Sequence, residues 1–235
     1  MTLERFRQPP GPSVGSNARI NDQRHIARPC QPLFNSCQIG HTTDRDRGRP
    51  IATRNRGDAS IQAAVEAAGD VTVLINNAGA SVASAGILTH TDAEIRTNVE
   101  TNFLGPLFLA RAFAPILSAN DESVIIDFHS AVSWYAVGGI YSATKAALWS
   151  ATNSLRLELA PARVHVVGVH VEYVDTAMAA QAAGPKMDPA DLVRTVMDAV
   201  EAGEYEGSDE TSVRLKAGLS SPIGAIYPQL ALNKA

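Results

Sequence analysis

Tyr141 and Lys145 stand four residues apart in the stretch YSATK. On a helix, that spacing puts both side chains on one face. A phenol releases its proton at about pH 10 in water, and a neighbouring ammonium favours the phenolate. The pair is therefore suited to giving or taking a proton near neutral pH. Taken alone, the spacing also fits two surface residues of any helix. Ser130 follows an apolar run a little upstream, where a hydroxyl suits holding a substrate oxygen or capping the chain. NNAG at 76–79 follows another apolar run. Its small residues admit close approach of a ligand to the backbone, and its Asn side chains suit bracing a turn. Asn102 interrupts a helical stretch although Asn is a poor helix former. That suits a local distortion holding a water, or a solvent-facing position.

The surrounding pattern supplies elements to position these groups. Asp58 is placed to cap a short helix carrying Ile61, Ala64, Val65 and Ala68 on one face, with Gly69 closing it. VTVLI (71–75), SVIID (123–127) and RVHVVGVHV (163–171) read as strands buried on both faces. Thr91 and Glu94 form a capping box that opens a long helical stretch, with Gly105 and Pro106 marking a bend. Residues 141–160 carry a helical stripe through Leu148, Leu155 and Leu159. Asp188 and Pro189 start a further helix whose inward residues are Leu192, Val196 and Val200. Strands alternating with helices predict an α/β fold with a doubly wound parallel sheet. In such a sheet the ligand crevice lies at the carboxyl ends of the strands, where Ser130 and NNAG both fall.

The net charge of −4 conceals two halves. Residues 1–57 hold ten Arg, no Lys and four acids, a balance of +6, whereas residues 58–235 hold ten basic and twenty acidic residues, a balance of −10. The basic segment has no aromatic platform and no recognition helix, so nucleic acid is not the expected partner. No long apolar run suggests a membrane span or a signal peptide. Cys30 and Cys37 have no metal-site companions and read as incidental thiols, so no metal is expected and the cytoplasm is the expected compartment.

Taken together, INNAG at 75–79, Asn102 in TNFLGP, Ser130 in DFHSAVSW, YSATKAAL at 141–148 and Thr176 in YVDTAM resemble the short-chain dehydrogenase/reductase family. They occur in that family's order and near its spacings, from about Asp58 to the carboxyl terminus. The resemblance implies a Rossmann-like fold and an NAD(P)-dependent oxidoreductase, using NAD or NADP on a small carbonyl/alcohol substrate, and a homo-oligomer. It implies that Tyr141 exchanges the proton and also contacts the cofactor, and that Lys145 tunes the phenol and binds the nicotinamide ribose. Ser130 would hold the substrate oxygen and Asn102 would support a water relay. Asn76, Ala78 and Gly79 would line the cofactor, and Thr176 would contact the nicotinamide carboxamide or a phosphate. One departure is that Val171 and Glu172 stand where the family has Pro-Gly, which puts a carboxylate near the nicotinamide. The gap from Ser130 to Tyr141 is also short, and Trp134, Tyr135 and the Ala-rich stretch 177–184 are expected to border the pocket.

Residues 1–57 stand in place of the family's cofactor-loop half. PPGPSVGSN at 9–17 puts Gly11 and Gly15 near the position of the phosphate loop. That loop works when a buried strand delivers the chain to a helix N-terminus. The flanking TLERFRQPP and ARINDQRHIARP predict neither element, and no window of the segment alternates like a strand. The segment keeps the expected length while losing the pattern, as a frame-shifted translation would. A divergent N-terminus or an Arg-rich transit peptide would also put a basic, aperiodic stretch here. The alternative function is accordingly an impaired remnant that does not bind the cofactor.

Overall fold

The apolar runs become the middle of one sheet in the computed structural model, which describes residues 40–43, 50–53, 58–81 and 86–233. All of these lie in a single compact unit, residues 32–235. In chain order the strands are β1 (Gly40–Thr43), β2 (Pro50–Thr53), β3 (Val73–Asn76), β4 (Ser123–Phe128), β5 (Val164–His170) and β6 (Glu206–Ser208), arranged β2-β1-β3-β4-β5-β6. From β3 to β6 every pairing is parallel. The phosphate-loop candidate at 9–17 lies outside the described residues.

Three strands, β1, β2 and the short β6, fall where the pattern predicted none. β1 and β2 pair antiparallel, and β1 pairs antiparallel with β3 through His41↔Ile75 and Thr42↔Leu74. GHTT and PIAT carry no apolar alternation. Their β-branched threonines and Ile51 suit extended backbone, and strand formation depends more on the neighbouring edge than on intrinsic preference.

Helix α1 (Asp58–Ala67), α2 (Asp92–Val99), α3 (Gly105–Ser118) and α4 (Ile140–Leu159) follow the expected stretches closely. Thr91 and Glu94 form the capping box, with Glu94 Oε2 accepting the Thr91 N–H at 2.8 Å. Ile61, Phe113, Leu117 and Leu159 pack with Leu74, Ile125 and Val166 on one face of the sheet. Asp188 caps α5 (Pro189–Glu201) by accepting the Ala190 N–H at 2.7 Å. Leu192 and Val196 of α5 cover Ile126, Phe128 and Val169 on the other face. Helix α6 (Glu210–Ala217), the single turn α7 (Ile223–Ile226) and a 3-10 stretch, Pro228–Asn233, complete the described chain. No described helix is long and apolar enough to cross a membrane.

At the carboxyl ends of β4 and β5 a layer of polar and aromatic residues replaces the dry core. His129 and His170 stack at 4.6 Å, Trp134 stacks on His170 at 4.0 Å, and Lys216 lies 5.5 Å from the Trp134 ring. Gly168 of β5 makes room for this layer, since a Cβ there would sit 3.0 Å from both the Arg156 Nη2 and the His129 ring. Arg156 is held by the Val166 carbonyl at 3.0 Å and His129 by its stack, so neither yields freely. Gly168→Ala is therefore expected to destabilise the fold by about 1–3 kcal/mol. At about 2–4 °C per kcal/mol, a thermal melt reads this directly.

Candidate active site

Tyr141 and Lys145 project from the first turns of α4. The helix starts after Gly139, whose φ of 57° and ψ of −127° are open to glycine alone. Gly138 precedes it, and a Cβ there would sit 2.8 Å from the Ser142 Oγ. The two glycines set the angle at which α4 enters, and hence where Tyr141 stands. Their doubling in VGGIYS was the available sequence signal.

Ser130 stands two residues beyond the end of β4 and is buried. It opens a short turn, Ala131–Ser133, with its Oγ accepting the Val132 N–H at 3.4 Å. Ser133 Oγ accepts the Ser130 N–H at 3.3 Å, which fixes the residue from both sides. Burial pushes the Tyr141 phenol above its ordinary value, and a hydrogen bond with Ser130 draws it back. Lys145 is also buried, and burial lowers its amine to about 8 while Asp127 acts the other way. The expected lowering of the phenol by Lys145 is not what the geometry gives. The Lys145 Nζ donates to the Phe128 carbonyl at 2.7 Å and lies 5.7 Å from the centre of the Tyr141 ring. A buried ammonium takes the nearest strong acceptor, here a strand-end carbonyl.

Asn102 lies in a π turn, Glu100–Leu104, between α2 and α3. Its side chain donates to the Ala80 carbonyl at 2.8 Å and accepts the Ala80 N–H at 2.8 Å. The second proton of the same nitrogen has Thr144 Oγ1 at 3.1 Å and Asn98 Oδ1 at 3.3 Å within reach. One amide thus pins the turn after β3 to the helix carrying Tyr141. Sequence reasoning missed Asn98 and Thr144, and only their polarity on inward helix faces marked them.

In the turn itself the three lining residues differ. Asn76 is 2% exposed, and its amide is committed to Asp127, donating to Oδ1 at 2.8 Å. Its own Oδ1 is buried without a partner among the described residues. Ala78 is half-buried, and Gly79 lies beside Asn102 and Met178, with space for a Cβ only 3.3 Å from the Met178 methyl. Thr176 is half-buried, with its hydroxyl donating to the Val174 carbonyl at 3.3 Å. Ser130, Tyr141, Lys145, Asn102 and Gly79 therefore meet at the carboxyl edge of β3 and β4, and Thr176 stands on the chain beyond β5.

Three nearby features differ from expectation or go beyond it. Trp134 is 5% exposed and faces the histidine stack, so it does not border an open pocket. Tyr135 stacks on Tyr227 at 5.2 Å, and the Tyr227 hydroxyl accepts the Ala136 N–H at 2.9 Å. The carboxyl-terminal stretch thereby reaches the loop before Tyr141, which no local pattern announced. Glu172 is exposed with its N–H bonded to Asp209 Oδ2 at 2.6 Å, and Val171 is the buried member of the pair.

Residues 50–186 match the family model for short chain dehydrogenase, more than half of the chain. The chain belongs to the short-chain dehydrogenase family. A dehydrogenase/reductase SDR family protein 7-like from Anopheles gambiae is 30% identical over 169 residues, 71% of this chain but 52% of that protein. The chain thus spans about half the length of that relative. An uncharacterized oxidoreductase of Staphylococcus aureus strain N315 is 30% identical over 171 residues, covering 70% of this chain and 73% of that one. A crystal structure of a short chain dehydrogenase from Burkholderia cenocepacia in complex with NADP is 32% identical, with a TM-score of 0.70 over 77% of each chain. The α/β fold, with its parallel run from β3 to β6, is therefore that of the family.

Proposed function

We propose that this chain is an NAD(P)-dependent oxidoreductase that interconverts a carbonyl and an alcohol on a small organic substrate. The observation that carries the reading is the placing of Ser130, just past β4, with Tyr141 and Lys145 on the first turns of α4, Lys145 Nζ being held by the Phe128 carbonyl at the end of the same strand. Tyr141 is the proton donor to a substrate carbonyl oxygen, or the acceptor in the reverse direction. Its raised value keeps the phenol protonated at neutral pH, as reduction requires. Ser130 donates to the same substrate oxygen and orients it. NAD or NADP, when bound, supplies or accepts the hydride. The site fits such a group in its nicotinamide-ribose half. Lys145 is a triple donor with one bond made to protein, and Asn76 keeps a buried acceptor without a partner among the described residues. Lys145 would hold ribose hydroxyls, Thr176 the carboxamide or a phosphate, and Asn76, Ala78 and Gly79 the remaining wall. Asn102 holds the turn at Ala80 against α4 and supports a water beside Lys145. The expected setting is a cytoplasmic homo-oligomer, with neither nucleic acid nor membrane as partner.

One observation favours the second reading, a remnant that does not hold the cofactor. β1 runs antiparallel to β3, so its carboxyl end points away from the crevice. A chain leaving β1 in that direction cannot bring a helix N-terminus to a pyrophosphate at the carboxyl edge of β3. Fluorescence titration with NADH and NADPH separates the two. Saturable binding together with a cooperative melt supports the oxidoreductase. A cooperative melt without binding supports the remnant.

A further inference from the structure

The loop that leads into α4 is held from two sides. Its middle is a single 3-10 turn, Ala136–Gly138, whose Ala136 and Val137 are both exposed. Apolar burial therefore does little to fix it. On the inner side, Ser142 Oγ accepts the Gly138 N–H at 2.9 Å and donates to the Tyr135 carbonyl at 3.2 Å. Ser142 is buried and directly follows Tyr141 on α4. One hydroxyl thus joins the loop to the turn that carries Tyr141, with the reversal at Gly139 between them.

On the outer side the hold comes from a residue 91 positions along the chain. Tyr227 directly follows the turn α7 and is half-buried. Its ring lies 5.2 Å from that of Tyr135, with 3° between the planes. Its hydroxyl accepts the Ala136 N–H at 2.9 Å. That N–H is the first of the 3-10 turn, an orphan donor of the kind a preceding side chain often caps. Tyr135 makes no such cap, and Tyr227 supplies the acceptor from outside. The ring stack docks the carboxyl-terminal stretch, whereas the hydroxyl bond acts on the loop backbone itself.

We propose that Tyr227 is a positioning residue for Tyr141, a clasp that holds the Tyr135–Gly139 loop against α4 and so sets where the Tyr141 phenol stands. The proposal takes its purpose from the oxidoreductase reading, in which a proton donor must keep its distance to the substrate oxygen. A displacement of about 1 Å there costs up to about a hundredfold in rate. The position of Tyr141 can be read without cofactor or substrate.

Tyr227→Phe keeps the stacked ring and removes only the acceptor. The Ala136 amide, exposed but bonded, is expected to resist hydrogen–deuterium exchange in the wild type. In Tyr227→Phe it should exchange about 5-fold to 10-fold faster, the worth of about one hydrogen bond. The chain has five tyrosines, so tyrosine labelled with ¹³C at Cζ gives few signals, and loss of one in Tyr141→Phe assigns Tyr141. That signal is expected to shift in Tyr227→Phe, while the melting temperature stays within about 4 °C of the wild type. With NAD(P)H and a small aldehyde, kcat should fall about tenfold to a hundredfold and the cofactor KM should hold, a split that general loosening of the fold does not give. An Ala136 amide that exchanges freely in the wild type, or equally in both proteins, overturns the proposal, and so does an unmoved Tyr141 signal. If Tyr227→Phe does not fold, Tyr135→Leu opens the clasp from the loop side and must give the same faster exchange and the same moved signal, or the proposal falls. A moved Tyr141 signal in a protein that neither binds NAD(P)H nor turns over sinks the oxidoreductase reading and leaves this one standing. An unmoved signal in an active enzyme does the reverse.

Discussion

Tyr141→Phe is expected to lower kcat/KM for carbonyl reduction by about two to four orders of magnitude, the usual worth of a positioned general acid. The phenol is half-buried, and Lys145 Nζ lies 5.7 Å from the centre of its ring. Phenylalanine keeps the ring and loses only the hydroxyl. The variant should therefore fold, with a stability change within about 1 kcal/mol for the loss of a half-buried hydroxyl. Cofactor affinity should change little, because Lys145 and the turn at 76–79 are untouched. The pH dependence carries the sign. Reduction requires the protonated phenol, and burial raises its value, so reductive activity should persist into the alkaline range. Oxidation requires the phenolate and should rise with pH over the same interval. The measurement is kcat/KM in both directions across pH 6 to 11 (a range set by the ordinary phenol value of about 10). Near-wild-type activity in Tyr141→Phe removes Tyr141 from the chemistry.

The second large effect is on stability in acid. His170 is fully buried between His129 and Trp134, and burial lowers its imidazole to about 4. The unfolded chain binds that proton at about pH 6.5, the ordinary histidine value. Between the two values the unfolded state holds more protons than the native state, so stability falls as pH falls. Its full contribution is present above pH 6.5 and is lost progressively toward pH 4. A difference of this size corresponds to about 3 kcal/mol from His170 alone. His129 acts in the same direction, held well below its ordinary value by burial first and then by the neighbouring His170, Lys145 and Arg156. Both nitrogens of His129 lack a partner among the described residues, so a proton arriving there finds no acceptor. Urea unfolding at intervals from pH 4 to pH 8 reads the slope. His170→Phe keeps a flat ring in the stack and should make the slope shallower by the His170 share, leaving that of His129. Equal slopes in the variant and the wild type would mean that His170 is not the group responsible.

Much of the central sheet could be read from the chain because its determinants are local. VLIN, SVIIDF and VHVVGVH carry apolar runs that only a strand covered on both faces uses, and Asp188 with Pro189 marks a helix start by backbone chemistry alone. The Tyr141–Lys145 spacing needs nothing beyond helical geometry. The pieces that escaped depend on distant partners. GHTT and PIAT extend because each finds an edge to pair with. β6 is three residues long and takes its place from β5, too short to show a period. Trp134 has the look of a pocket wall because tryptophans suit ligands, but the two histidines at the ends of β4 and β5 give it a buried surface to stack on. Asp127 passes in the sequence for the polar end of an apolar run. Its bonds reach Asn76 and Thr152, which are 51 and 25 residues away along the chain.

The histidine stack also gives the protein a built-in optical probe. The chain has two tryptophans, and both are in that corner, Trp134 on His170 and Trp149 edge-on to Trp134 at 6.0 Å. Indole emission therefore reports on one neighbourhood, the layer between α4 and the β5–β6 side of the sheet. Far-ultraviolet circular dichroism, by contrast, averages over every helix. If acid first loosens the histidine layer, the emission changes while the helical signal stands. If the fold gives way as a unit, the two curves coincide. Recording both on one sample shows whether this corner melts alone, without introducing a label or a mutation.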